Sequence, residues 1–135
     1  MKQILVIILL VGGTVFSSQA QKINALKVPA AVSAAFKKSH PAANVKWEME
    51  QANYEAGFIL NGKETSEVYT PGGTLLETES TIKPSELPVT VLAKLKGKKI
   101  AEAAKITKAD GTIHYEAEVK GKDLLFDVNG NTVKN

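Results

Sequence analysis

The chain of 135 residues is 44% hydrophobic, 23% charged and 6% aromatic, which is the composition of one small globular domain. Its net charge is +3 and every basic residue is a lysine. The clustered arginines and stacking aromatics of nucleic-acid binders are therefore missing, and we expect no nucleic-acid partner. Because the chain has no cysteine and two histidines, disulfides and thiolate metal sites are excluded, and we expect no cofactor.

Residues 1–20 have the three-part layout of a secretory signal peptide. Lys2 gives a positive start, residues 4–11 are an unbroken apolar run, and Ser18 and Ala20 occupy the two small positions that signal peptidase reads. The run is too short for a spanning helix, which needs about 20 apolar residues. We expect cleavage after Ala20 and a periplasmic or secreted location, with residues 21–135 as one domain that has no membrane span.

A pattern at the start of this domain returns in the second part of the chain at the same spacing. An apolar residue and a proline are followed by two apolar residues at intervals of four. The members are Val28, Pro29, Val32 and Phe36, then Leu87, Pro88, Val91 and Leu95. Intervals of four place the apolar residues on one face of a helix, and the prolines suit its first turn. The sequence therefore predicts two similar halves, at about residues 27–81 and 85–134, each opening with a helix.

Strands follow each predicted helix. They are predicted at 45–50, 54–60, 63–70 and 74–81 in the first half and at 103–107, 113–119, 124–128 and 132–133 in the second, with 80–86 as the connector between halves. Trp47 alternates with charged neighbours and is expected in the core. Asn61-Gly62 predicts a tight hairpin, because both residues tolerate positive φ. A helix followed by an antiparallel meander, twice, is an α+β arrangement.

Particular residues of these elements occur in an order found in a known family. They are Val28-Pro29, Val32, Phe36, Pro41, Val45, Trp47, Tyr54-Glu55-Ala56, Glu67-Val68-Tyr69 and Gly72-Gly73. In this order the chain resembles the PepSY-like secreted proteins common in Bacteroidetes, also described as β-lactamase-inhibitor-protein-like. The resemblance covers about residues 27–134 and implies two tandem halves sharing one curved antiparallel sheet, with the helices on one side. It implies no catalytic residues, and the family name suggests inhibition of a secreted enzyme.

The sheet face opposite the helices is the candidate functional surface. By alternation along the strands it carries Lys46, Glu48, Glu50, Glu55, His114, Glu116 and Glu118, with Ile59 and Leu125 among them. A broad charged face with apolar spots suits the binding of a partner, and the alternative is an ordinary solvated face. We expect a non-enzymatic binding module whose partner is a secreted or periplasmic protein; the sequence indicates neither its identity nor an oligomeric state.

The same face also allows a second interpretation, in which it carries a catalytic or metal-binding site. His114 lies on the same strand face as Glu116 and Glu118, so the three side chains are candidates for a small metal-dependent or acid-base site. The sequence places no nucleophile nearby, and alternate polar residues on a strand usually face water. We therefore expect binding rather than catalysis.

A short acidic motif near the end of the chain invites a metal interpretation. Asp127, Asn129 and Asn131 resemble the start of an EF-hand calcium loop. Such a loop needs a glutamate at its twelfth position, and that position would fall beyond Asn135. A type I′ hairpin turn at Asn129-Gly130 accounts for the same residues, and we favour it.

Overall fold

The computed structural model describes residues 21–134, so the predicted signal peptide lies outside the described residues. The elements in chain order are β1 (Gln21–Ile23), α1 (Ala30–Ser39), β2 (Lys46–Glu50), β3 (Asn53–Leu60), β4 (Lys63–Tyr69), β5 (Leu75–Ile82), α2 (Val89–Lys94), β6 (Glu102–Lys108), β7 (Ile113–Val119) and β8 (Lys122–Asp127). The eight strands pair in chain order and every pair is antiparallel. This open sheet with two helices has the α+β class that the sequence predicts.

Helix α1 covers the sheet with the apolar face that the four-residue spacing predicts. Val32 and Phe36 are 0% and 1% exposed, and Pro29 immediately precedes the first helical residue. The Phe36 ring meets Trp47 and Phe58 edge-on, at centroid distances of 5.6 and 5.0 Å. Such edge-to-face contacts add to the free energy gained by burying the rings. Trp47 is buried in this cluster, which confirms its expected place in the core.

Helix α2 is shorter and packs on the other end of the same sheet. Its cluster consists of Leu87, Val91, Leu95, Ala103, Ala117, Val119 and Phe126. Ala103 and Ala117 are paired across β6 and β7, and their small side chains let the helix approach the backbone of the sheet. The strand register places both clusters on one side. No element of residues 21–134 lies over the other side. The division into two tandem halves stays a prediction.

A polar group is buried beneath the end of α1. Glu67 is buried on the helix side of β4, where His40 Nε2 lies 3.0 Å from its Oε1 and the Tyr69 hydroxyl donates to its Oε2. Burial, followed by this hydrogen bond, raises the pKa of the Tyr69 phenol. His40 is also the C-cap of the helix, and its backbone N–H donates to the Phe36 carbonyl. Glu67 thus ties the end of α1 to the sheet.

Three parts of the sheet differ from the sequence prediction. The sequence does not predict β1, because three residues are too few to show alternation, and residues 80–82 belong to β5 rather than to a connector. At the other end, Asn129 lacks the positive φ that a type I′ turn requires, and only Gly130 has it. Asn129 and Gly130 therefore belong to a longer hairpin loop with a glycine β-bulge, which shifts the pairing of the residues that follow. Residues 132–133 consequently form a single bridge, from Thr132 to Phe126, and no strand.

Two glycines touch the helices so closely that a side chain would not fit. A Cβ added at Gly73 would lie 2.6 Å from the Ala31 carbonyl oxygen, and one at Gly130 would lie 2.6 Å from that of Thr90. Both glycines have positive φ, and so does Gly62, where an added Cβ would meet nothing within 4 Å. Each long turn is therefore pressed against the first turn of a helix.

We predict that Gly73→Ala lowers the free energy of unfolding by about 2–4 kcal/mol, because it adds a backbone clash to the strain of a positive φ. Gly62→Ala is the matched control, with the strain and without the clash, and should cost about 1 kcal/mol. Urea denaturation of the two variants measures the difference. Equal losses would mean that the turn is not pressed against the helix.

Candidate functional site

The uncovered side of the sheet, here called the open face, carries the residues that alternation assigns to it. They are Lys46, Glu48 and Glu50 on β2, Glu55 on β3, and His114, Glu116 and Glu118 on β7. Ile59 and Leu125 lie on the same face. The charged residues form two groups, one on β2 and β3 and the other on β7, with strands β4, β5 and β6 between them. Their role in binding stays a prediction.

A glutamate of the central strand fills the gap between the two groups. Glu79 on β5 pairs with Ser66 on β4 and with Ile106 on β6. Neighbouring strands are about 4.8 Å apart. Glu79 therefore stands two strands from Glu55 on one side and two strands from Glu116 on the other.

Side chains on the open face are buried although no helix covers them. The exposed fraction is 7% for Glu50, 7% for Glu55 and 4% for Glu79, and the neighbouring Val68 and Ile106 are also buried. An uncovered flat sheet would leave such side chains in contact with water. Side chains on neighbouring strands of the open face therefore cover one another. This is not the ordinary solvated face of an antiparallel sheet.

Several polar atoms on the open face are buried without a hydrogen-bond partner in residues 21–134. They are Glu50 Oε2, both carboxylate oxygens of Glu79, Thr81 Oγ1 and His114 Nδ1. A buried polar group left without a partner costs about 1–3 kcal/mol, and folded proteins contain few of them. On the helix side, by contrast, both carboxylate oxygens of Glu67 are bonded. The cost is thus concentrated on the side of the sheet that no element of residues 21–134 covers.

Burial and mutual repulsion make these carboxyl groups weak acids. Burial raises the pKa of Glu50 to about 7, with the charge of Glu55 as the next cause. Burial also raises the pKa of Glu116 to about 7, with Asp123 as the next cause. The pKa of Glu79 lies well above its usual value, because burial is reinforced by the charges of Glu116 and Glu55. The open face therefore exchanges protons near neutral pH.

Lysines lie at the margins of the open face rather than among these glutamates. Lys108 Nζ is 3.4 Å from Glu77 Oε2, at the end of β6. Lys22 and Lys46 lie on β1 and β2, the two outermost strands at one end of the sheet. The protein has a net charge of +3, yet the middle of this face is acidic.

The turn at Asp127 uses its own carboxylate. Asp127 Oδ1 accepts the backbone N–H groups of Asn129 and Asn131 at 2.9 Å each, and Oδ2 accepts the Asn131 side chain at 3.0 Å. The hydrogen bonds from Asn131 are the main reason that the pKa of Asp127 is lowered. Both oxygens serve to close the turn, although it is not the type I′ turn that the sequence predicts.

The second interpretation of His114, Glu116 and Glu118 gains little from the geometry. Across the neighbouring strands His114 faces Ile106, and Glu116 faces Ala104. Within the described residues, no group of three or more His, Asp or Glu side chains is arranged to hold a metal ion. The three residues share a face, as predicted, without converging on one point.

Sequence reasoning misses Glu79, the most buried acidic residue of the face. Strand β5 alternates Glu77, Glu79 and Thr81 with Thr78 and Ser80. Both faces of this strand are polar, so hydropathy alternation does not indicate which side turns toward the helices. Only the pairing of β5 with its neighbours could have identified Glu79.

Comparisons with known proteins identify the fold. No family model matches the sequence, and no curated protein matches it. Among solved structures, a predicted periplasmic protein of Bacteroides eggerthii aligns with a TM-score of 0.71 at 21% identity, over 79% of this chain and 86% of that one. A DUF2874 family protein of Bacteroides uniformis gives a TM-score of 0.70 at 22% identity, over 78% and 86%. A BLIP-like protein of Bacteroides fragilis gives 0.64 at 22% identity, over 78% and 84%.

These similarities support the β-lactamase-inhibitor-protein-like fold that the sequence resemblance implies. At these identities they concern the fold alone, and the PepSY-like assignment stays a prediction. Neither helix of the described chain is long and apolar enough to cross a membrane.

We predict that the protein is less stable at pH 8 than at pH 5. Glu50 and Glu116 keep their protons to about pH 7 in the folded state but lose them near pH 4.5 when unfolded. The folded state therefore binds more protons in this range, and stability present below pH 4.5 is lost as the pH rises through 7. Allowing for partial solvation, we expect a loss of about 2–4 kcal/mol.

Urea denaturation at pH 5 and pH 8 measures this loss. The double variant Glu50→Gln with Glu116→Gln should reduce it, because glutamine does not titrate. A stability that rises between pH 5 and pH 8 would contradict the raised pKa values.

Proposed function

We propose that this protein is an exported, non-enzymatic binding module that holds another protein on its open face. One observation carries the proposal: the buried polar atoms that lack partners within residues 21–134, including both oxygens of Glu79, lie on the face that neither α1 nor α2 covers. A partner that supplies donors would remove a cost of about 1–3 kcal/mol for each such group.

The size of the open face supports a protein as the partner. Eight strands at a spacing of about 4.8 Å span about 34 Å. Strands of six to eight residues are about 20–25 Å long. The product, about 700–800 Å², is close to the area that each partner buries in a stable protein interface. If the two helix clusters are the predicted tandem halves, joining them in one sheet is what gives the face this width.

The similarity to a BLIP-like protein favours an enzyme as the partner, and the predicted periplasmic neighbour favours an exported one. We therefore assign the protein to the periplasm or the secreted fraction and infer that it inhibits or otherwise binds a protein there. The alternative metal or acid-base site at His114, Glu116 and Glu118 has less support, because Ile106 and Ala104 stand opposite two of its members.

Capture from a periplasmic extract tests the proposal. The immobilised protein should retain a partner, and the double charge reversal Glu48→Lys with Glu116→Lys should abolish its retention, because both ends of the open face change sign. Glu86→Lys with Asp110→Lys, at two exposed positions in the loops that precede α2 and join β6 to β7, is the control with the same change in net charge and should retain the partner.

Mass spectrometry identifies the captured protein, and circular dichroism checks that each variant folds. The proposal is wrong if retention is the same in the double variant and the control. It is also wrong if the protein shows hydrolytic turnover or stoichiometric metal that His114→Ala removes, since the alternative site would then be the functional one.

A further inference from the structure

The centre of the open face has a specific chemical character, and the inference from it rests on the proposed function. Glu79 is 4% exposed, and neither of its carboxylate oxygens has a partner in residues 21–134. On the neighbouring strands, the buried Ile106 pairs with Glu79, and the buried Val68 lies next along the same face to Ser66, which pairs with Glu79 on β4. Val68 and Ile106 form an apolar floor. Acidic side chains stand two strands away on both sides, at Glu55 and Glu116.

We propose that the partner inserts an arginine side chain into the open face, with its guanidinium group over Glu79. The aliphatic part of the side chain would lie on the apolar floor at Val68 and Ile106. The guanidinium would donate to Glu79, with Glu55 or Glu116 as a second acceptor.

Arginine fits this floor better than a metal ion or a lysine does. The carboxylates are spread over several strands, and no three His, Asp or Glu side chains in the described chain are placed to hold a metal ion. A guanidinium presents five donors in a plane, so it can serve acceptors that do not converge on one point. It is also less strongly hydrated than an ammonium, so it enters a buried site more readily.

Binding of this kind is coupled to proton release. The charged and titratable groups on the face of Glu79 are Lys22, Lys46, Glu48 and Glu50 on β1 and β2, Glu55 on β3, Glu64 on β4, Glu77 on its own strand, Glu102 and Lys108 on β6, and His114, Glu116, Glu118, Asp123 and Asp127 on β7 and β8. Most are acidic, and burial raises the pKa of Glu50 and Glu116 to about 7. An arginine would favour the ionised carboxylates, so its binding should be roughly tenfold tighter at pH 8 than at pH 5.5.

Peptide binding to the purified protein tests the proposal without any variant. The probe is acetyl-Gly-Gly-Arg-Gly-Gly-amide, and its matched control replaces arginine by citrulline, which has nearly the same shape and no charge. The side-chain carboxyl ¹³C resonances of the glutamates are followed by NMR at pH 8. The arginine peptide should shift the Glu79 resonance saturably, with smaller shifts at Glu55 and Glu116, and the citrulline peptide should not.

Two variants locate the site. Glu79→Gln keeps the shape of the side chain and should abolish saturable binding of the arginine peptide. Glu86→Gln, with the same change in net charge at an exposed position before α2, should leave binding intact. A lysine version of the peptide should bind more weakly than the arginine version. Shifts of Glu86 equal to those of Glu79 would indicate general charge screening and overturn the proposal.

Peptide binding and partner capture together distinguish a failure of this inference from a failure of the proposed function. If the captured partner is lost in the Glu48→Lys with Glu116→Lys variant but the arginine peptide does not bind, the open face holds a partner by other chemistry and only the inference falls. If calcium, added without peptide, gives the saturable shifts and arginine does not, the site takes a metal ion and the inference is also wrong. If the double variant retains the partner, the proposed function is wrong as well.

Discussion

The structure follows from one constraint: two short helices cover only one side of an eight-stranded sheet. Each helix contributes an apolar stripe, Val32 and Phe36 in α1 and Val91 in α2, and these stripes account for two separate clusters on the covered side. The other side has no second layer in residues 21–134, so its side chains must be covered by one another or by a partner. Glu50 and Glu79 are buried in the first way, but oxygen atoms of both are left without a hydrogen-bond partner in the described residues.

Strand β4 illustrates how the two sides of the sheet treat the same kind of residue differently. Glu67 points toward helix α1, where His40 and Tyr69 bond both of its oxygens. Its neighbour Val68 points to the open face, beside the carboxylates. On the covered side a buried carboxylate is therefore satisfied within the chain, and on the open face an apolar residue is placed between two acids, Glu55 and Glu77. The contrast separates an acid that stabilises the fold from acids that are available to a ligand.

Much of the fold could be predicted from the sequence, because its elements have strong local signals. The interval of four between Val32 and Phe36 and the alternation around Trp47 gave the helix, the strand and their buried faces. Alternation also placed Glu48, Glu116 and their neighbours on one side of the sheet. It could not show that Glu50 and Glu55 are buried, because burial on that side depends on which side chains the pairing of all the strands brings beside them. The position of Glu79 on the open face could not be predicted for a related reason. Strand β5 is polar on both faces, so its orientation is fixed only by its pairing with β4 and β6.

The pairing of strands in chain order has a consequence for how the protein reaches this structure. Each strand is hydrogen-bonded to the strands before and after it in sequence, so the sheet contains no crossover. Most loops that must close are short, and the two longer connections each carry a helix that packs on its neighbours. Chain entropy lost on closing short loops is small, and folding rates rise as contacts become more local. The unfolded chain can therefore add one hairpin after another to the edge of the sheet. It forms a broad surface without bringing together segments that are distant in sequence.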